Sequence, residues 1–286
     1  MYHEMIYECH GHIILDGVTY AGAVERHRNG VDETFIRQNL KTCADLGVVY
    51  YRDGGDKHGV SVFARRVAGE YGIDYRTPAY IIHKRGHYGA MFGRAFESLS
   101  GYRALIDEAK SLGADFIKTT ASGMLDFADN GSVAGLALSQ KELVEMIDIA
   151  HGEGFAVMVH ANGADNIKRA AESGADSIEH GFFMDTEALR IIAQTGAIWV
   201  PTCATVANLI GTGRYNDSVL QRIHDNHRST LKTAYAAGVH IACGSDAGAV
   251  GVPQGTGAIN ELSILESLGI DPGPGDRKIE EVFSRK

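Results

Sequence analysis

Short apolar runs alternate along the chain with longer stretches in which apolar residues recur every three or four positions. The first run, Met5 to Tyr7, gives way to polar and turn residues as far as Gly30. A helical pattern then runs from Asp32 to Leu46, with Asp32 placed to cap it and Gly47 to stop it. Residues 48–51 read as a strand broken by Arg52-Asp53-Gly54-Gly55, and 60–72 as a helix. The same grammar keeps returning. Further strands are predicted at 79–82, 115–118, 155–160, 175–180, 197–200 and 239–243, with helices at 100–112, 139–151, 164–174, 186–195 and 217–237. Ser139 with Glu142 three residues on is a capping-box signature. The run Phe155-Ala156-Val157-Met158-Val159-His160 is apolar up to its last residue, as a parallel strand covered on both faces should be.

Eight strands alternating with helices in 286 residues suit an α/β fold of the (β/α)8 TIM-barrel type, which needs roughly 250 residues. An open doubly wound sheet is the alternative. No G-x-G-x-x-G or Walker-type loop follows the first strand, which weakens it. Residues 1–270 are read as one barrel domain. Asp271-Pro272-Gly273-Pro274-Gly275 ends that core, and the charged segment to residue 286 is a short C-terminal tail, helical or frayed.

Apolar residues at 44% and charged ones at 22% are ordinary globular values. The formal net charge of −9, without a dense basic cluster, argues against a nucleic-acid partner. No apolar run approaches the roughly 20 residues of a membrane span, and Glu4 and Glu8 stand where a signal peptide would be basic. A cytoplasmic protein acting on a small molecule is expected. Cys9, Cys43, Cys203 and Cys243 form no C-x-x-C pair and read as reduced core residues.

In a barrel the chemistry sits where strands run out at their C-terminal ends. His10 and His12 are two apart on an extended segment, so both imidazoles can face one point. Lys118, His160, His180 and Asp246 close the fourth, fifth, sixth and eighth strands. Alone, each has a bland reading. Six such residues at one mouth make a metal site. The polar insert 83–98, carrying His83, Lys84, Arg85, His87, Tyr88 and Arg94, is longer than a connection requires. Cations there could bind a carboxylate, and Arg214 with Tyr215 in the seventh loop are a second candidate pair. His83, His151, His224, His227 and His240 read as structural.

These positions resemble the metal-dependent amidohydrolase superfamily, with His-x-His on strand one, lysine or glutamate on four, histidines on five and six, and aspartate on eight. The wording of Phe116-Ile117-Lys118, Val159-His160-Ala161-Asn162-Gly163, Ser177-Ile178-Glu179-His180-Gly181, Val200-Pro201-Thr202 and Gly244-Ser245-Asp246-Ala247-Gly248 is similar to the branch of Xaa-Pro dipeptidase-like and imidazolonepropionase-like proteins. The resemblance implies two divalent metal ions, zinc first. His10, His12 and Asp246 would hold one metal, His160 and His180 the other, and a carbamate on Lys118 would span both. A bridging hydroxide would attack an amide of the peptide or N-acyl amino acid type, with Asp246 as proton shuttle. His87, Tyr88 and Arg85 look like the position where related enzymes reach over the substrate. Hydrolysis of a cyclic amide, lactone, carbamate or phosphoester is the alternative, and a degenerate barrel with a binding role is a further one. Members of this branch flank the barrel with a small β-sandwich. Here that sandwich and the last helices are expected to be absent or reduced, with the flank covered in a homo-oligomer.

Overall fold

A computed structural model describes residues 5–127 and 132–284. Glu4, residues 128–131 of the predicted 119–137 loop, and Arg285 and Lys286 of the predicted tail lie outside the described residues. Strand β1 is Ile6–Gly11, followed by α1 (Tyr20–Arg26), α2 (Glu33–Asp45), β2 (Val48–Asp53) and α3 (Val60–Val67). Then come β3 (Asp74–Arg76), β4 (Ile81–Lys84), β5 (Gly93–Phe96), α4 (Leu99–Ser111), β6 (Ile117–Thr120) and α5 (Gln140–Gly152). The order continues through β7 (Val157–Ala161), α6 (Ala164–Glu172), β8 (Ser177–His180), α7 (Thr186–Thr195), β9 (Ile198–Val200), α8 (Ala204–Ala207) and α9 (Asp217–Ala236). It ends with α10 (Thr256–Ser267) and α11 (Gly273–Val282). Local chemistry fixes several starts as expected. Asp32 accepts the Phe35 N–H at 3.1 Å, and Ser139 and Glu142 form the reciprocal capping box of α5.

All strand pairs are parallel, in one sheet of order β1-β2-β3 and another of order β5-β4-β6-β7-β8-β9. The arrangement is a TIM-barrel-like α/β fold. The predicted third strand, 79–82, is found as β4 from Ile81 and pairs β6, while β3, a short strand not predicted, lies just before it and pairs β2. Pro78 has no N–H to give and Ala79 turns the chain at φ 64°, so a continuous ladder stops there. Part of the polar insert pairs as β5 on the outer edge of β4.

The predicted eighth strand, 239–243, forms no regular strand. It is tied to β9 by Trp199 N–H to the His240 carbonyl and Ala242 N–H to the Trp199 carbonyl, at 2.8 and 2.9 Å, and to β1 by Cys9 N–H to the Cys243 carbonyl at 2.8 Å. The Cys243 N–H goes instead to the Asp276 carboxylate at 2.7 Å, which removes one rung from the ladder.

One expectation about the C-terminal part needs correction, since the last helices, α10 and α11, are present; of the two forms expected for the charged tail the helical one is found, as α11. That helix buries Ile279 and Phe283 against Cys9, Tyr50, Phe116, Met158, Ile198 and Val200. Phe116 and Met158 lie two residues before Lys118 and His160, so they share a face with them, one step nearer the strand N-terminal ends. Helix α11 therefore forms a floor beneath the strand-end residues. Among the described residues no helix is long and apolar enough to cross a membrane.

Candidate metal centre

His10 lies within β1 and His12 just beyond it, and both imidazoles are buried. Lys118 comes from β6, His160 from β7 and His180 from β8, and Asp246 follows the eighth segment. Lys118 Nζ stands 3.1 Å from His10 Nε2 and 3.3 Å from His12 Nε2. The Asp246 Oδ1 is 3.9 and 3.8 Å from the same two nitrogens. The His180 ring centroid is 4.9 Å from that of His10 and 4.5 Å from that of His160. His10, His180 and Asp246 each offer a ligand atom within 4.8 Å of the others. The six strand-end residues thus form one contiguous cluster.

Packing fixes the orientation of the rings. His10 Nδ1 lies 2.6 Å from Glu179 Oε2, His180 Nδ1 lies 2.8 Å from Thr202 Oγ1, and His160 Nε2 lies 3.0 Å from the Gly123 carbonyl. Each of these rings therefore has one nitrogen engaged by its partner and the other free of it. Gly54 leaves the space this needs. A Cβ there would fall 2.1 Å from His12 Cε1 and 2.6 Å from Lys118 Nζ.

Burial dominates the electrostatics. It drives His10, His12 and His180 well below the usual imidazole range, with Lys118 or a neighbouring histidine adding to the effect. His160 falls to about 4 for the same reason, against an opposing bond to the Gly123 carbonyl. Neutral imidazoles carry free lone pairs at pH 7. Burial also lowers Lys118 to about 8 and raises Asp246 to about 6, the latter against the pull of Lys118. Four neutral nitrogen donors, one carboxylate and one easily deprotonated amine suit a divalent transition metal.

Buried acids support the backbone around the cluster. Glu8 accepts the Ser245 N–H at 2.8 Å beside Asp246. Asp53 accepts from Ile13 N–H and Tyr75 Oη at 2.8 and 2.7 Å beyond His12. Glu261 accepts the Cys203 and Ala204 N–H groups at 3.0 and 2.7 Å, just after Thr202. None of these was anticipated from sequence. An acid inside a buried strand, as in Ser177-Ile178-Glu179-His180, is the one signal that could have flagged Glu179.

A two-lobed cavity opens over the cluster. Its lobes, about 280 and 150 Å³, share Tyr20, Tyr88, Met124, His160, His180 and Asp246. The larger reaches Phe127, Phe182, Leu209, Arg214 and Tyr215, and the smaller reaches Leu15, Ile81, Met91 and Phe92. A further hollow of about 450 Å³ beside Ile6, Tyr7 and Pro272 contains none of the six cluster residues.

The predicted substrate contacts separate here. Tyr88, more than a third exposed, lines both lobes with its ring 4.7 Å from that of His160. His87 is half-buried and lines neither lobe. Arg85 is not brought to the site. Its N–H is bonded to the Phe96 carbonyl at 2.9 Å, and its exposed side chain pairs with Glu97. Arg214 and Tyr215, the second candidate pair, do line the cavity.

Comparison with known proteins bears on the fold and the family. The chain is 27% identical over 215 residues to ochratoxinase of Aspergillus niger, covering 73% of this chain and 42% of that protein, so it spans under half the length of that relative. An uncharacterised protein of Mycobacterium bovis is 27% identical over 274 residues, 90% of this chain and 68% of its own length. A crystal structure of a Xaa-Pro dipeptidase with bound methionine superposes with a TM-score of 0.73 at 25% identity, covering 97% of this chain and 72% of that one. The A. niger ochratoxinase structure superposes with a TM-score of 0.74 at 19% identity, covering 96% and 68%, which speaks to the fold alone. The sequence pattern of the Amidohydrolase family matches residues 22–271. That span takes in Lys118, His160, His180 and Asp246, and the chain belongs to the Amidohydrolase family.

Proposed function

We propose that this protein is a metal-dependent hydrolase of carbon–nitrogen bonds, with a dipeptide or N-acyl amino acid as model substrate. The observation that carries this reading is Lys118 Nζ lying 3.1 and 3.3 Å from two neutral imidazoles at the base of a two-lobed cavity. His10, His12 and Asp246 would hold one divalent cation, His160 and His180 a second, and a carboxylated Lys118 would span them. Imidazole and carboxylate donors make zinc the first choice. When bound, such a pair polarises the amide carbonyl and lowers the pKa of the attacking water.

The chain's own groups do the rest. Asp246, pushed up to about 6 by burial, accepts the proton of the water at Oδ1 and returns it to the leaving nitrogen. Lys118, brought down to about 8, exposes a neutral amine whose lone pair attacks carbon dioxide, losing one proton as the carbamate forms. The Tyr88 ring packs against that of His160. Arg214 at the end of the larger lobe takes a substrate carboxylate, and the apolar walls take its side chains. Similarity to a Xaa-Pro dipeptidase favours a C–N bond as the one broken.

Metal analysis combined with a hydrolysis panel tests this. About two equivalents of transition metal should be retained, and zinc- or manganese-loaded protein should hydrolyse some member of a set of dipeptides and N-acyl amino acids. Protein that takes up no metal from supplemented medium would sink the proposal.

A further inference from the structure

Beneath the cluster lies an ion pair that the proposed chemistry does not use. Arg52 on β2 and Glu179 on β8 are both fully buried. Arg52 Nη2 donates to both oxygens of Glu179 at 2.9 and 3.0 Å, Nη1 donates to Ser177 Oγ at 2.9 Å, and Nε donates to the Cys9 carbonyl at 2.6 Å. The guanidinium carbon lies 4.3 Å from the ring centroid of Phe283, the residue that follows α11. Phe283 in turn meets Phe116 edge to face at 5.2 Å.

A buried ion pair is weak evidence for stability, because apolar residues of similar volume often do as well. What this pair does supply is direction. One Glu179 oxygen is committed to His10 Nδ1 at 2.6 Å, which holds the proton on Nδ1 and leaves Nε2 facing Lys118 and Asp246. The Nε contact pins the carbonyl of Cys9, the residue just before His10. His180 and His160 face neutral acceptors, Thr202 Oγ1 and the Gly123 carbonyl. Of these three rings, His10 alone has a charged partner.

We propose that Phe283, Arg52 and Glu179 form a positioning relay for His10, so that the C-terminal helix on the barrel floor sets metal affinity at its mouth. This rests on reading His10 as a metal ligand. Removing one partner of such a support costs metal affinity about 10- to 100-fold. Phe283 acts one step further back, and replacing its ring while keeping an apolar side chain should cost about threefold, the scale of a modest cation–π contact.

The test is titration of metal-free full-length protein with Co²⁺, read by visible absorption and chelator competition, at a temperature where circular dichroism shows each variant folded. Glu179→Gln should bind about 10- to 100-fold more weakly and Phe283→Leu about threefold more weakly. Phe96→Leu, a buried ring on β5 away from the relay, should stay within about twofold of wild type. Relay variants that bind like wild type, or a Phe96→Leu loss as large as theirs, overturn the relay. If Glu179→Gln fails to fold, Phe283→Leu decides alone. Wild-type protein that binds no cobalt sinks the metal-centre reading, and the relay with it.

Discussion

His180 and Thr202 both hold a left-handed backbone, at φ 68° and 50°, and their side chains meet at 2.8 Å from Nδ1 to Oγ1. For a β-branched threonine that conformation is an outlier, and such residues cost about 1–3 kcal/mol each. Asp246 is also left-handed, at φ 60°. The surroundings over-determine the turn at Thr202, since Glu261 takes the two N–H groups that follow it. Among the described residues, three of the five left-handed non-glycine positions are thus two of the cluster residues and the partner of one of them. Thr202→Val keeps the shape and the strain but removes the acceptor for His180. Metal affinity and kcat should fall about 10- to 100-fold, while Thr202→Ser should stay near wild type. Cobalt titration and steady-state kinetics of the zinc-loaded protein check this.

Gly54 is a second sensitive point. Its backbone is not left-handed, so alanine meets no conformational penalty, yet the added Cβ would press on His12 and Lys118. Gly54→Ala should fold with a loss of about 1–3 kcal/mol, the scale of overpacking, and retain less than one equivalent of metal. Thermal melting and metal analysis of one preparation separate the two effects.

Lys118 gives a pH prediction. With its amine near pKa 8, about a tenth is neutral at pH 7, against a few parts in ten thousand for an unshifted lysine. The neutral form rises with pH and the carbamate step itself releases a proton, so the carbamate population of metal-free protein should climb steeply from pH 7 through 8 at fixed carbon dioxide pressure. A carbon-13 carbamate resonance that is absent from Lys118→Ala is the readout.

Arg214 and Arg85 should behave differently. Arg214→Gln should raise KM about tenfold for substrates carrying a carboxylate and leave their neutral amides unchanged. Arg85→Gln, whose partner is Glu97 on the surface, should change neither.

Stability at low pH should report the start of α5. The bond from Lys84 is the largest cause holding Glu142 down at about 2, with the Ser139 capping bonds adding to it. A depressed carboxylate stabilises the fold above its unfolded value, and that contribution is lost as pH falls through about 4.5 toward 2. Glu142 is partly exposed, so solvent screening limits what its pair with Lys84 contributes. Glu142→Gln, which can keep the capping box but not the charge facing Lys84, should cost about 0.5 kcal/mol at pH 7, with the gap from wild type closing in acid. Urea denaturation at both pH values measures it.

Much of this was legible in the residues themselves. The apolar run ending in His160 marks a strand by composition and direction, and Asp32 and Ser139 announce the helices they cap. What could not be read depends on partners distant in sequence. Cys243 fails to extend a strand because Asp276, 33 residues on, takes its N–H. Arg85 points away because β5 pairs beside it, and no local pattern separates it from Arg214. Arg52 reads as a strand breaker until Glu179 is seen opposite, 127 residues away.

The buried acids also bear on calorimetry. Burial holds Glu8 at about 8 and Asp53, Glu261 and Asp276 at about 7, whereas an unfolded chain ionises such groups near 4. The folded protein therefore carries protons at neutral pH that the unfolded chain releases, and stability from these groups falls as pH rises from about 4 and levels off above about 8. Melting in phosphate and in Tris should accordingly give different apparent enthalpies, because each buffer absorbs the released protons with its own heat.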